Sequence, residues 1–147
     1  MEHEEIIKNL KKNKLFKNLP EDVLKEIAPY INLREFKKGR VIFFEGDIGR
    51  YLYLVKKGKI EVYKRNDEGD EVVIASFGPD DFLGEMALLE ESTRSATCRA
   101  VEDTELMLFS HRAFQDLIEE RPKVAARLIL EIAKVLSKRL RDIKNFG

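Results

Sequence analysis

The sequence predicts a mostly β domain with helices at both ends. Residues 31–110 form short alternating or apolar runs separated by glycines, which is typical of a β-sandwich or β-barrel. Residues 1–30 and 111–147 instead carry apolar side chains three and four positions apart, which is the period of an amphipathic helix. Because 147 residues suit one domain of ordinary size, we expect the three regions to form a single domain.

The N-terminal region predicts two helices. Residues 6–19 place apolar side chains among lysines at helical spacing, with a break near Asn13. Pro20 begins the second helix, because proline fits a first turn and the two acids after it favour the positive end of the helix dipole. Pro29 ends this helix.

The central region predicts a series of short strands. Each is rich in branched or aromatic residues and is bounded by residues that favour turns. Between two of them, residues 66–70 have the composition of a hairpin turn, in which Gly69 supplies the positive φ that such turns need. The predicted strands span residues 31–36, 41–44, 51–56, 59–65, 71–77, 95–100 and 104–110.

The C-terminal region predicts a short helix over residues 111–120 and a long helix from Pro122 to Ile143. The long helix is about 30 Å in length, at roughly 1.5 Å per residue. Its apolar stripe is wide enough for two surfaces, one packed on the sheet and the other paired with a second copy of the chain as a homodimer. The stripe contains Ala125, Ile129, Ile132, Leu136, Leu140 and Ile143, and it is widened by Val124, Leu128 and Val135.

The composition argues against several classes of protein. The 27 basic and 27 acidic residues balance, so the positive field of a nucleic-acid-binding protein is lacking. No apolar run approaches the roughly 20 residues of a membrane span. An acidic N-terminus and a single cysteine, Cys98, predict a cytoplasmic protein without disulfides. His3 and His111 stand apart and no catalytic set is evident, so we expect no metal, no cofactor and no enzyme activity.

Residues 82–89 have the pattern of a main-chain anion site. Gly84 adopts backbone conformations closed to other residues and lets a ligand approach the main chain. Helix-forming residues follow it, and the first amides of a helix lack intrahelical acceptors and carry the positive end of the dipole. We therefore expect the amides of Met86 and Ala87 to face an anion.

Three side chains complete the predicted site. Arg94 adds a guanidinium fork and Ser95 a hydroxyl donor, which together suit the two free oxygens of a phosphodiester. A carboxylate at Glu85 repels phosphate, so we expect it to accept a hydrogen bond from a sugar hydroxyl instead. The residues predict a sugar-phosphate site, although a glycine before a short helix also occurs without any ligand.

The order of these residues resembles that of a known family. Phe-x-Gly-Glu-x-Ala-Leu at 82–88, followed by Arg-Ser-Ala-Thr at 94–97, is similar to the phosphate cassette of the cyclic nucleotide-binding domain. This is the module of the catabolite activator protein and of protein kinase A regulatory subunits. Residues 15–20 resemble the N-terminal segment of the family, and residues 39–47 resemble its first strand and turn. The resemblance extends over residues 13–142.

The resemblance implies a fold, a ligand and an output. The fold is a double-stranded β-helix, a jelly-roll-like β-roll, with N-terminal helices and a long C-terminal helix. The ligand is cyclic AMP (cAMP) or cyclic GMP (cGMP), with Arg94 and Ser95 on the cyclic phosphate. In the best-known member, a threonine and a serine on the last helix contact adenine, and Arg139 and Leu140 stand at those places here. Arg139 can either stack on the base or stand as an ordinary exposed arginine of the helix, and cAMP is favoured while cGMP stays open.

Further residues are candidates for the nucleoside pocket. Alternation puts Thr97 on the same face as Ser95, from which it can reach the nucleotide. Val73, Phe77 and Leu83 lie near the cassette in sequence or across the predicted barrel, and they suit either the wall of a nucleoside pocket or the core. Cys98 alternates to the other face from Thr97 and is expected to be inert core.

These inferences predict a regulatory module that binds a cyclic nucleotide and repositions its last helix. Its output is expected to reach an unknown effector protein, a fused domain or a second protomer. An alternative is a structural or dimerisation module of the same fold, with an empty pocket or a different effector. A DNA-binding regulator is a third hypothesis, which the neutral charge and the end of the chain at residues 145–147, without a recognition helix, argue against.

Overall fold

The central region folds into short strands connected by tight turns. The computed structural model describes residues 1–143, and residues 144–147 of the predicted C-terminal region lie outside the described residues. The strands are β1 (Ile31–Phe36), β2 (Val41–Phe43), β3 (Tyr51–Lys57), β4 (Ile60–Arg65), β5 (Glu71–Phe77), β6 (Phe82–Leu83), β7 (Thr97–Ala100) and β8 (Thr104–Ser110).

The strands form two antiparallel four-stranded sheets, in the orders β1-β8-β3-β6 and β2-β7-β4-β5. Helices precede and follow the strands along the chain. The arrangement confirms the predicted mostly β class with a jelly-roll-like architecture. The helices are α1 (Glu2–Leu10), α2 (Glu21–Ile27), α3 (Met86–Leu89), α4 (His111–Glu120) and α5 (Pro122–Asp142), with a 3-10 turn at Ala28–Tyr30.

The first sheet is covered on both faces, and this explains why β3 and β8 read as nearly continuous apolar runs. On β3, Leu52 and Leu54 belong to the core shared with the helices, whereas Tyr53 and Val55 belong to the core between the two sheets. Strand β8 alternates in the same way. Successive side chains of a strand point to opposite faces, so two cores require apolar residues at every position.

Most predicted strands are confirmed within two residues, and the first helix differs more. It begins at Glu2 and ends at Leu10, before the predicted break. Asn13 is buried in the following turn, where its amide donates to Asp81 O (3.2 Å) and its carbonyl oxygen accepts from Leu15 N (2.9 Å). Asparagine satisfied in this way favours a turn over a helix. Strand β6 was missed, because two residues carry no alternation.

Helix α5 packs one face on the core and exposes other apolar residues. Its buried apolar side chains are Val124, Ala125, Leu128 and Ile132. Ile129 and Leu140 of the predicted stripe are exposed by 38% and 52%, and Leu130, which is not part of that stripe, is exposed by 55%. Pairing through these exposed residues stays a prediction.

Within the described residues, no helix combines the length and the apolar character that crossing a membrane would require.

Candidate functional site

The cassette predicted around Gly84 forms a turn that leads into helix α3. Gly84 has φ +86°, in the left-handed region that favours glycine. The N–H of Ala87 donates to Gly84 O (3.0 Å), so this amide is not free for a ligand, contrary to the prediction. Among the described residues, the N–H groups of Glu85 and Met86 have no acceptor. These two amides are the ones that can donate to an anion.

Arg94 lies at the centre of the site, against an aromatic wall. Its Nη2 donates to Tyr51 O (2.7 Å), and its Cζ lies 4.4 Å from the ring centroid of Phe43 and 5.7 Å from that of Tyr53. Burial lowers the pKa of the guanidinium, which is nevertheless always protonated in proteins. No carboxylate forms a salt bridge with it within residues 1–143. A half-buried cation without an acidic partner is suited to bind an anion.

Two glycines make room for this guanidinium. A Cβ at Gly84 would lie 2.7 Å from Arg94 Nη1, and a Cβ at Gly49 would lie 2.9 Å from both Cζ and Nε of Arg94. The guanidinium therefore packs directly on the main chain at both positions. The sequence does not indicate this role for Gly49, because it depends on a contact with a residue 45 positions later.

Glu85 is almost completely buried, and the last helix reaches it. Its side chain is 3% exposed, and Arg139 of α5, whose side chain is 54% exposed, forms an ion pair with Glu85 Oε1. Apart from this ion pair, Oε1 has no hydrogen-bond donor among the described residues. A buried carboxylate oxygen in this state can accept a hydrogen bond from a ligand hydroxyl. The structure thus brings together two predicted site residues from distant parts of the chain.

Leu83 and Ser95 lie beside this centre. Leu83 pairs with Tyr53 across β6 and β3, so it adjoins the aromatic wall behind Arg94. Ser95 is exposed at the surface next to Arg94, and the side chain of Met86 is exposed as well. Ser95 and Met86 are therefore accessible to a ligand that contacts the guanidinium.

Thr97 and Val73 lie on the outward face of the second sheet, contrary to their expected place in the pocket. Both pair with Tyr63 of β4, whose ring packs under Arg99 at 4.2 Å on that face. The Thr97 hydroxyl accepts a hydrogen bond from Glu45 N (2.9 Å), so it stabilises the fold. Strand β5 contains a bulge beside Val73, and its extra residue reverses which side chains face inward.

A concavity of about 440 Å³ adjoins Arg94. This volume is in the range of small-molecule sites. Its wall contains residues that the sequence analysis did not single out, because they come from β2, from the following turn and from β3. The lining residues that matter here are Ile42, Phe43, Asp47, Tyr51, Tyr53 and Arg94.

Cys98 is buried in the core between the sheets, as expected. Burial raises the pKa of its thiol to about 12, so the thiol is protonated and unreactive at neutral pH. Within residues 1–143, no group of three or more His, Cys, Asp or Glu side chains is arranged to hold a metal ion.

Known proteins share both the sequence pattern and the fold. Residues 33–121 match the cyclic nucleotide-binding domain family. A protein of Thermus thermophilus named cyclic AMP receptor protein is 38% identical over 133 residues, which cover 90% of this chain. The match spans 60% of the length of that relative.

Two solved structures extend the comparison. The N-terminal domain of a transcriptional regulator from Streptomyces coelicolor A3(2) superposes with a TM-score of 0.83 at 30% identity, and the match covers 94% of this chain and 96% of that one. The regulatory domain of Toxoplasma gondii protein kinase A, crystallised with cAMP, has a TM-score of 0.68 at 30% identity and covers 78% of this chain and 43% of that one. The chain belongs to the cyclic nucleotide-binding domain family.

Proposed function

We propose that the protein binds a cyclic nucleotide, most favourably cAMP, at the cassette and Arg94, and that binding alters the contacts of helix α5. The role is regulatory, without catalysis of its own. The observation that carries this proposal is the state of Arg94, a half-buried guanidinium packed on Gly84 without an acidic partner in the described part of the chain. A ligand anion supplies the missing charge.

The chemistry of a cyclic phosphodiester matches the hydrogen-bond donors around Arg94. The phosphate carries one negative charge, which Arg94 neutralises by a charge-assisted contact that contributes roughly 1.5–3 kcal/mol. The free amides of Glu85 and Met86 and the exposed hydroxyl of Ser95 are further donors. Glu85 Oε1, which Arg139 contacts from α5, accepts the ribose 2′-hydroxyl, so the sugar and the phosphate engage opposite kinds of group.

The ion pair between Arg139 and Glu85 connects the ligand site to α5. A ribose hydroxyl at Glu85 competes with Arg139 for the same carboxylate oxygen, so binding weakens this contact with the last helix. A ligand shifts a conformational equilibrium only by its difference in affinity between the states, and this competition supplies such a difference. Once released, Arg139 can stack on the base, as the sequence suggests.

The preference for cAMP is supported by the relatives. The Thermus protein is named a cyclic AMP receptor, and the Toxoplasma domain was crystallised with cAMP. The Thr and Ser that contact adenine in the best-known member are replaced by Arg139 and Leu140, so cGMP is the ligand to compare. What receives the signal is an unknown effector protein, a fused domain or a second protomer.

Titration calorimetry with cAMP and cGMP tests the proposal. The wild-type protein is expected to bind cAMP more tightly than cGMP, and Arg94→Gln is expected to weaken binding at least tenfold. Arg127→Gln is the matched control, because Arg127 is an exposed arginine on α5. No heat and no thermal shift with either nucleotide at millimolar concentration would favour the alternative of an empty pocket or a different effector.

A second candidate function is self-association through α5. Exposed Ile129, Leu130 and Leu140 favour it, because three apolar side chains on one helix gain from burial against a second copy. Sedimentation velocity tests this: we expect a dimer that Leu130→Glu converts to a monomer, and a monomeric wild-type protein at high micromolar concentration would exclude it.

A further inference from the structure

His111 joins helix α4 to the C-terminal end of α3. Its Nδ1 lies 3.1 Å from Ala87 O and 3.0 Å from Leu88 O. Both neighbours are carbonyl oxygens, which only accept, so Nδ1 must carry the proton and donate to them. A one-turn helix such as α3 leaves its last carbonyls without intrahelical donors, and this imidazole supplies one.

The main chain of His111 holds the other side of the site. Its N–H donates to Arg50 O (2.8 Å), and the next carbonyl along β3, that of Tyr51, accepts from Arg94. Ser110 fixes the position of the residue, because its hydroxyl caps α4 by accepting from Ala113 N (2.9 Å). His111 therefore lies between the strand that orients the guanidinium and the helix that follows the cassette turn.

We propose that His111 is a positioning residue for the nucleotide site: its imidazole fixes α3, and α3 holds the turn at Gly84 and Glu85 in the geometry that receives the phosphate and the ribose. The inference rests on the proposed function. Ala87 and Leu88 are 4% and 0% exposed, so their carbonyls depend on a protein donor rather than on bulk water. Loss of the imidazole donor therefore changes the position of the cassette turn.

A matched pair of variants separates the hydrogen bond from the bulk of the ring. In His111→Asn, the amide nitrogen is attached to Cγ as Nδ1 is in histidine, so the donor is kept. His111→Leu has nearly the shape of the Asn variant and no donor. We expect the Leu variant to bind cAMP about tenfold more weakly than the wild type, and the Asn variant to lie within about threefold of it.

Hydrogen exchange of the ligand-free protein provides a readout that does not depend on the ligand. The two ends of α3 carry suitable amides, because Leu88 N donates to Glu85 O and Glu90 N donates to Met86 O. Both are expected to exchange roughly tenfold faster in the Leu variant and near the wild-type rate in the Asn variant. If no form binds cAMP or cGMP, the proposed function fails, while faster exchange in the Leu variant alone still supports the positioning of α3.

Two results would overturn the inference. One is wild-type exchange and wild-type affinity in the Leu variant, since the ring would then not fix α3. The other is equal weakening in the Asn and Leu variants, since the packing of the ring and not its N–H would then be responsible. Circular dichroism and thermal melts of each variant show whether it is folded before it is titrated.

Discussion

Replacing Gly49 by alanine tests whether Arg94 is held in place by the surrounding main chain. The new Cβ lies 2.9 Å from Cζ and Nε of Arg94 and 3.3 Å from Ser92 O. The φ of Gly49 lies outside the left-handed region, so alanine adopts the same backbone conformation. The closest atoms belong to the end of a flexible side chain, which moves away. We therefore expect the free energy of unfolding to change by less than about 1 kcal/mol.

The ligand affinity is expected to change far more. A guanidinium pushed away from Gly49 loses its hydrogen bond to Tyr51 O, which is 2.7 Å long, and its place beside Gly84. Its contact with a phosphate, which contributes roughly 1.5–3 kcal/mol, is then lost or misaligned. A loss of that size corresponds to binding about ten- to a hundredfold weaker.

Gly78→Ala is the matched control. Its φ is also outside the left-handed region, and its Cβ would meet no atom within 4 Å. Calorimetric titration with cAMP measures affinity, and urea denaturation measures stability, for both variants and the wild type. Affinity of Gly49→Ala within twofold of the wild type would refute the idea that the main chain sets the position of Arg94.

Three further predictions follow from the contacts. Arg139→Gln removes the competitor for Glu85 and also the guanidinium proposed to stack on the base, and we expect the loss of stacking to outweigh the weak ion pair, so that cAMP binds roughly two- to fivefold more weakly in calorimetry; tighter binding would show that Arg139 acts only as a competitor at Glu85. Lys56 is 14% exposed and bridges two carboxylates, so Lys56→Met should lower the free energy of unfolding in urea by about 1–3 kcal/mol, and an unchanged value would contradict this. Burial raises the pKa of Cys98 from 9.0 to about 12, so the folded protein keeps a proton that the unfolded chain releases. This contribution to stability is complete below pH 9 and is lost as the pH rises towards 12, so stability should fall less steeply above pH 9 in Cys98→Ala, and equal slopes would rule it out.

Much of the fold could be predicted, because its patterns are local. Branched and apolar residues between turns predict the strands at residues 71–77 and 104–110. The helical spacing of apolar residues predicts α5. Strand β6 could not be predicted, because Phe82–Leu83 is too short for any period. The first helix was misplaced because the apolar residues after Asn13 pack in turns and not on a helix face.

Part of the site could be predicted from one local motif, and the resemblance added Arg139 from a distant part of the chain. Gly84, Glu85 and Arg94 belong to one motif, and the structure brings Glu85 and Arg139 together as an ion pair. The aromatic wall of Phe43 could not be anticipated, because it depends on pairing of β2 with β7 across the roll. The outward position of Val73 could not be predicted either, because it depends on a bulge in β5 whose extra residue reverses the faces of the strand.

The Glu85 contact also limits how strongly a ligand can act on α5. The Arg139 side chain is 54% exposed, and ion pairs with an exposed partner contribute about 0–1 kcal/mol. Reversing a two-state equilibrium from 1:99 to 99:1 requires about 5.5 kcal/mol of differential binding. Competition at Glu85 therefore supplies a minor part of that amount. A complete switch needs a further contact between the nucleotide and α5, for which stacking of the released Arg139 on the base is the candidate that the sequence offers.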